Sequence, residues 1–214
     1  MPMPKRRTAF DSETLLARAA LTLLETKQWR TVTLASVARS AGLSLSDVLS
    51  SVPSKSALPG ALLRLLAHQT MRRHTANGRS HDPRERLFDA TMTFFDVQEI
   101  HARALKNLYR ALQYDLPMVL AMRHDILRLA GELVALAEAD VGQSPRLQAG
   151  IFAAILIRAI SAWCDDGEDM GKTMSRLDGD LRSMEGLLWP KRESTPAKSV
   201  PRKKKKKRDG VFDP

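Results

Sequence analysis

The chain has 214 residues, of which 43% are hydrophobic and 27% are charged, and its formal net charge is +10. This composition is typical of a folded globular protein and excludes disorder over most of the length. Because Cys164 is the single cysteine, the chain cannot form an internal disulfide, a CxxC redox pair or a cysteine-based zinc cluster, which favours a reducing compartment.

The amino terminus, MPMPKRRTAF, lacks the apolar core of a secretory signal peptide. We also find no window that approaches the ~18 apolar residues needed to span a membrane. The sequence therefore predicts a cytoplasmic protein that does not span a membrane.

Basic residues are concentrated at the two ends of the chain. Residues 1–80 carry a net charge of +8, residues 81–190 carry −5, and residues 191–214 carry +7. A basic first third followed by an acidic body is expected when one domain meets phosphates, although chance clustering on solvated faces gives the same pattern. The last segment contains Lys203–Lys207, and we predict a disordered tail that either contacts polyanions without sequence preference or only aids solubility.

Apolar residues recur every three or four positions and no hairpin signal occurs, so the sequence predicts an all-α protein of about nine helices. Asp11 is expected to cap the first helix. Thr33 is expected to cap a short second helix that runs through Ala38 and is broken by Gly42.

Ser44 is expected to cap a third helix, with Asp47 in the place of the acidic residue of a capping box, and Pro53 ends that helix. Ser54 is then expected to cap a longer helix. Pro59 lies inside the second turn of this helix, where its missing N–H is expected to cause a bend.

Beyond residue 80 the predicted helices are longer, at 83–98, 101–115, 117–139, 145–165 and 168–188. The helix at 145–165 is apolar over too wide an arc for a helix with one solvated side. We therefore expect it to pack on two surfaces.

The second and third helices, joined by residues 39–43, form a predicted helix-turn-helix unit. In such units the first helix crosses the DNA backbone and the second lies in the major groove. The stretch from Leu15 to Leu62 contains, in order, Ala19-Ala20, Trp29, Thr31-Val32-Thr33, Val37-Ala38, Ala41-Gly42-Leu43-Ser44 and Pro53-Ser54-Lys55. On these residues it resembles the N-terminal domain of the TetR family of transcriptional regulators.

The resemblance implies a basic arm at 1–9, a helix-turn-helix DNA-binding domain at 10–53, a helical effector-binding and dimerisation domain at 54–190, and a tail at 191–214. The implied partners are double-stranded DNA, a small apolar effector and a second copy of the chain, paired through the last two helices. Lys5, Arg6 and Arg7 precede the first helix and are either a DNA-contacting arm or a solvated terminus.

The resemblance also implies which residues meet DNA, with Lys55 as a phosphate contact. They are Thr33, Arg39, Ser44, Leu45, Ser46, Ser50, Ser51, Ser54 and Lys55. Between Ser44 and Val52 there is no Arg, Lys, Asn or Gln, so the third helix cannot make bidentate contacts to bases. Sequence recognition by this helix is then either weak or dependent on serines, water and DNA shape.

Aromatic and methionine side chains on the middle helices are candidates for an apolar effector pocket. They are Met92, Phe95, Tyr109, Met118 and Met122. For any single one of them, ordinary core packing is the favoured explanation, because these residue types usually lie in protein interiors.

Residues 162–188 carry a Trp, an Asp-Asp turn and a later Leu-Asp pair. In this they resemble the C-terminal part of a TetR-like family of lipid-binding accessory proteins of ubiquinone biosynthesis. The alternative function is therefore a lipid- or isoprenoid-binding protein with degenerate DNA binding.

Catalysis is not expected, and no cofactor or metal site is predicted. The five histidines show no metal-ligand spacing, and the sequence has no glycine-rich phosphate loop or nucleophile elbow. The leading hypothesis is a dimeric TetR-type repressor that a small apolar effector releases from DNA.

Overall fold

The computed structural model describes residues 9–74, 80–139 and 144–190, with side chains from Ser12 onward. The predicted arm at Lys5–Arg7 and the lysine run at Lys203–Lys207 lie outside these residues. Within the described ranges the chain is helical and contains no strand, which confirms the all-α prediction. The helices are α1 (Ala9–Leu24), α2 (Leu34–Ala41), α3 (Leu45–Ser51), α4 (Leu58–Arg73), α5 (Pro83–Glu99), α6 (Ala102–Leu112), α7 (Leu116–Leu136), α8 (Pro145–Cys164), α9 (Gly171–Ser183) and α10 (Glu185–Leu188), with short 3-10 helices at Trp29–Thr31 and Lys55–Ala57.

The predicted caps of α2 and α3 are confirmed. Thr33 Oγ1 accepts a hydrogen bond from the Ser36 N–H at 3.1 Å, and Ser36 Oγ accepts one from the Thr33 N–H at 3.0 Å, which completes a capping box. Ser44 Oγ accepts from the Asp47 N–H at 3.1 Å and donates to the Asp47 carboxylate at 2.7 Å. α2 ends because Gly42 adopts a left-handed φ of 64°, which glycine tolerates without steric cost.

Three local predictions are wrong. α1 already includes Ala9 and Phe10, so Asp11 lies within the first turn of the helix and is not its N-cap. Ser54 precedes a 3-10 turn and makes no capping bond, because its hydroxyl pairs with the Ser56 hydroxyl at 2.7 Å. Pro59 lies in the first turn of α4, where its missing N–H costs nothing, so it fits the start of a helix.

The predicted helix at 168–188 is two helices, α9 and α10, interrupted at Met184. Asp166 organises the turn before α9: its carboxylate accepts from the Gly167 N–H at 3.1 Å, the Thr173 N–H at 2.7 Å and Thr173 Oγ1 at 2.9 Å. Burial alone would raise the pKa of Asp166, but these hydrogen bonds together lower the pKa below its ordinary value.

One continuous hydrophobic core extends from α1 to α10. α1 packs on α2, α3 and α4, and α4 also packs on α5 and α7, so α4 joins the first three helices to the rest. α8 lies between α7 and α9, which confirms that it packs on two surfaces. By length and hydropathy α8 could also cross a membrane, contrary to our expectation, and 44% of its apolar window is buried inside the protein.

Candidate functional site

α3 is anchored by one buried side and presents the rest of its surface outward. Val48 is fully buried, and Val52, just after the helix, is 1% exposed. On the outer side, Leu45 is 48% exposed and Leu49 is 46% exposed. The two buried valines define the side of α3 that faces the core, and Leu45 and Leu49 remain accessible to solvent.

The structure brings most of the residues predicted to contact DNA to this corner of α2 and α3. The exposed ones are Thr33, Arg39, Ser44, Leu45, Ser46, Ser50 and Ser54, and Ser51 is half-buried. The hydroxyls of Thr33 and Ser44 already accept a capping bond, and Ser50 Oγ donates to the Asp47 carbonyl at 2.8 Å. Ser46 and Ser50 lie opposite buried Val48, at the most outward positions of the helix.

Lys55 is held against the short helix at Trp29–Thr31. Its Nζ donates to the carbonyl oxygens of Trp29 at 2.7 Å and Arg30 at 3.2 Å, and lies 4.6 Å from the centre of the Trp29 ring. Burial lowers its pKa. Lys55 therefore ties the segment before α4 to this short helix, because its ammonium faces two carbonyls and the Trp29 ring.

Two polar side chains that the sequence did not indicate join the first part of the chain to the later helices. Asn107, on α6, donates through Nδ2 to the Lys27 carbonyl at 2.8 Å, and its Oδ1 accepts from the Trp29 N–H at 3.4 Å. Arg64, on α4, donates from Nε to Glu13 on α1 at 2.6 Å and pairs with Asp125 on α7. No local motif marks these residues, because each partner is more than fifty positions away.

An apolar cavity of about 380 Å³ lies between α4, α6, α7 and α8. None of its lining side chains is charged. They are Leu63, Tyr109, Leu112, Gln113, Val119, Met122, Ile126, Leu129, Leu156, Ile157, Ile160 and Ser161. Such a lining suits an uncharged, mainly apolar molecule of drug-like size.

Of the five predicted pocket residues, Tyr109 and Met122 line this cavity and the other three lie elsewhere. Phe95 is fully buried and packs on Trp163, with ring centres 6.2 Å apart. Met118 lines a separate hollow of about 430 Å³ next to Trp29, and Met92 packs on the core. Sequence periodicity marks all five as inward-facing, but it does not show which inward positions border empty space.

The Tyr109 hydroxyl donates to Gln98 Oε1 at 2.8 Å, and burial raises the Tyr109 pKa, so this phenol is a neutral hydrogen-bond donor. Trp163 donates through Nε1 to Glu99 at 2.8 Å, which directs it toward α5. Cys164 is buried, and burial raises its pKa to about 11. Among the described residues, no three His, Cys, Asp or Glu side chains are grouped as a metal site.

The fold is similar to that of a TetR transcriptional regulator from Rhodococcus sp. RHA1, with a TM-score of 0.52 and 15% identity over 83% of this chain and 94% of that one. Native NalD of Pseudomonas aeruginosa, described as the secondary repressor of the MexAB-OprM multidrug efflux pump, gives a TM-score of 0.48 and 20% identity over 86% of this chain and 100% of NalD. No protein-family model and no curated protein matches the chain. The Rhodococcus structure confirms the all-α fold that the sequence resemblance implied.

Proposed function

We propose that this protein is a cytoplasmic, dimeric DNA-binding regulator of the TetR type, a repressor that a small apolar ligand releases from DNA. The observation that carries the proposal is the outward presentation of α3 on a capped helix-turn-helix corner. A helix held by Val48 and Val52, with its other side free, has the form required to enter a major groove.

The charge around the corner supports a polyanionic partner. From residue 26 to residue 81 the sequence contains one acidic residue, Asp47. Its carboxylate accepts a hydrogen bond from the Ser44 hydroxyl at the start of α3. Lys27, Arg30 and Arg39 are exposed. Phosphates on either side of a groove would therefore meet cations or neutral hydroxyls instead of free carboxylates.

A second copy of the chain would place two α3 helices on one face of DNA. An outward stripe of apolar and small residues follows α8, formed by Leu147, Ala154, Ile157 and Ser161, and the last two of these also line the apolar cavity. Met174, on neighbouring α9, is also 39% exposed. Exposed apolar residues on two adjacent helices are typical of a subunit interface, and twofold pairing there suits a palindromic DNA site.

The proposed ligand site is the 380 Å³ cavity. α7 lines it with Met122 and Ile126, and Asp125 of the same helix pairs with Arg64 on α4. A ligand that displaces α7 would therefore act on α4 and, through Glu13, on α1. Release follows if the ligand prefers an arrangement in which the two α3 helices no longer match the groove spacing.

The test for DNA binding is fluorescence anisotropy with duplexes from upstream of the gene and with unrelated duplexes, across a salt series. We expect preferential binding to the upstream DNA and steep weakening with salt. Arg39→Ala should weaken binding to both kinds of duplex and reduce the salt slope by about one. Arg146→Ala, an exposed arginine on α8, serves as the control. Equal binding to all duplexes at low salt would refute the proposed regulator function.

The dimer is tested by light scattering. Ala154→Arg, on the α8 stripe, should give monomers, whereas Leu127→Arg, at a similarly exposed apolar position on α7, should leave the dimer intact. A monomeric wild type at micromolar concentration would contradict the proposed interface.

The cavity is tested with N-phenyl-1-naphthylamine, a neutral apolar fluorophore. Its fluorescence should rise on binding, and Met122→Trp should abolish the rise by filling the cavity. The alternative lipid-binding function shares this cavity but not the DNA preference. Mass spectrometry of organic extracts would favour it if an isoprenoid or lipid co-purifies and no upstream duplex is preferred.

A further inference from the structure

The outer surface of α3 has an unusual chemical character. Ser46 and Ser50 are its most outward residues, and Leu45 and Leu49 lie beside them on one flank, each about half exposed. A pair of leucines four positions apart on a seven-residue helix forms one apolar strip next to two hydroxyls.

Neither hydrogen bonding nor charge gives this surface a way to distinguish guanine or adenine strongly. The helix carries no Arg, Lys, Asn or Gln, which make the bidentate contacts to those bases. Its one acid, Asp47, is turned back to the Ser44 hydroxyl. The base edge that an aliphatic side chain can recognise is the C5-methyl group of thymine, which projects into the major groove.

The surroundings of the strip match a nucleic-acid duplex better than an apolar protein or a membrane interior. Arg39 at the end of α2 is exposed, and so are Lys27 and Arg30 in the segment before α2, where the Lys55 ammonium is bonded to the Trp29 and Arg30 carbonyls. An apolar strip in a helix-turn-helix unit that also exposes cations is complementary to a groove whose floor carries methyl groups and whose edges carry phosphates.

We infer that Leu45 and Leu49 read thymine methyl groups in the major groove, so that the preferred DNA site carries thymines at the positions facing these two residues. The inference rests on the proposed function. The Cβ atoms of residues four apart on a helix lie about 5–6 Å from each other. Stacked bases are about 3.4 Å apart, so the two leucines reach thymines one or two steps from each other.

The test replaces thymine by deoxyuridine in the preferred upstream duplex, because this change removes the methyl group and keeps every hydrogen-bonding atom. Anisotropy is measured for the wild type, Leu45→Ala and Leu49→Ala on both duplexes. We expect the wild type to bind the deoxyuridine duplex about fourfold more weakly for each contacted methyl, from the burial of one carbon. Each alanine variant should lose part of the difference in affinity between the thymine and deoxyuridine duplexes, and the double variant should lose all of it.

Leu127→Ala, on α7, is the matched control and should keep the full difference. Because both corner leucines are about half exposed, their truncation is expected to lower the thermal unfolding midpoint by only a few degrees, and circular dichroism verifies that the variants remain folded. A change in DNA shape caused by deoxyuridine would persist in the alanine variants, so it is distinguished from methyl contact.

The outcomes separate the inference from the proposed function. A preference for upstream DNA without any dependence on the methyl groups overturns the inference but supports the proposed regulator function. A methyl dependence that survives in the double leucine variant also overturns it. Equal binding to upstream and unrelated duplexes removes the proposed function and the inference together.

Discussion

At Gly60, on α4, a substitution by alanine should either lower or raise the free energy of unfolding, depending on a residue that is distant in the sequence, Asp125. A methyl group at Gly60 would overlap Oδ2 of Asp125 and would lie 3.0 Å from its Cγ and 3.3 Å from a terminal nitrogen of Arg64. Gly60→Ala therefore forces the Asp125 carboxylate away from the Arg64 guanidinium.

The expected magnitude comes from three contributions. Alanine stabilises a helix interior by about 1 kcal/mol relative to glycine. Against this, the Arg64–Asp125 pair, whose side chains are 33% and 18% exposed, contributes about 1 kcal/mol. Displacing a packed carboxylate costs about 1–2 kcal/mol more. We expect Gly60→Ala to lower the free energy of unfolding by about 1–2 kcal/mol.

The assay is urea unfolding followed by circular dichroism, with Gly131→Ala as the matched control. Gly131 is also helical, and its added methyl would lie 3.7 Å from Ala149 Cβ, an ordinary contact, so this change should be stabilising. In an Asp125→Ala background the obstacle is gone, and Gly60→Ala should become stabilising by about 0.5–1 kcal/mol. If Gly60→Ala stabilises the wild type as much as Gly131→Ala does, the close approach of α4 and α7 is refuted.

Three further predictions concern single groups. Thr33→Ala should lower the free energy of unfolding by about 1 kcal/mol through loss of the capping box, whereas Ser54→Ala should change it by less than half as much in the same urea titration. Asp166→Ala should destabilise by about 1 kcal/mol at pH 7 through loss of its hydrogen bonds to Gly167 and Thr173. Because folding lowers the Asp166 pKa, this difference should shrink as pH falls below about 4, and a constant difference in melts from pH 7 to 3 would contradict it. Cys164 should react with iodoacetamide at pH 8 far more slowly in the native protein than in urea, as followed by mass spectrometry, since burial raises its pKa to about 11.

The caps that could be predicted from the sequence are those that local chemistry decides. Thr33 and Ser44 each bond an N–H three residues ahead, so the motif contains both partners. Ser54 has the same side-chain chemistry, but the segment after it is held by Lys55, whose ammonium bonds carbonyls about twenty-five positions earlier. The Ser54 hydroxyl pairs with the Ser56 hydroxyl and makes no capping bond to the 3-10 turn that follows.

The cavity shows a second limit of sequence patterns. Periodicity identifies inward-facing residues, and Tyr109 and Phe95 are both inward-facing and buried. Only the packing of neighbouring helices decides that Tyr109 borders an empty volume while Phe95 packs on Trp163. An empty volume results from how well side chains from several helices fill the space between them, so the sequence of one helix does not contain it.

The same reasoning identifies α7 as the element on which the proposed release depends. Met122 and Ile126 line the cavity, and Asp125 of that helix pairs with Arg64, which also holds Glu13 on α1. Because these ion pairs are partly exposed, each contributes only about 1 kcal/mol. A ligand of micromolar affinity has about 8 kcal/mol of binding free energy, so a modest preference for a displaced α7 is enough to break both pairs. A fully buried network in this place would have resisted the same ligand, since breaking one buried pair costs about 3–5 kcal/mol.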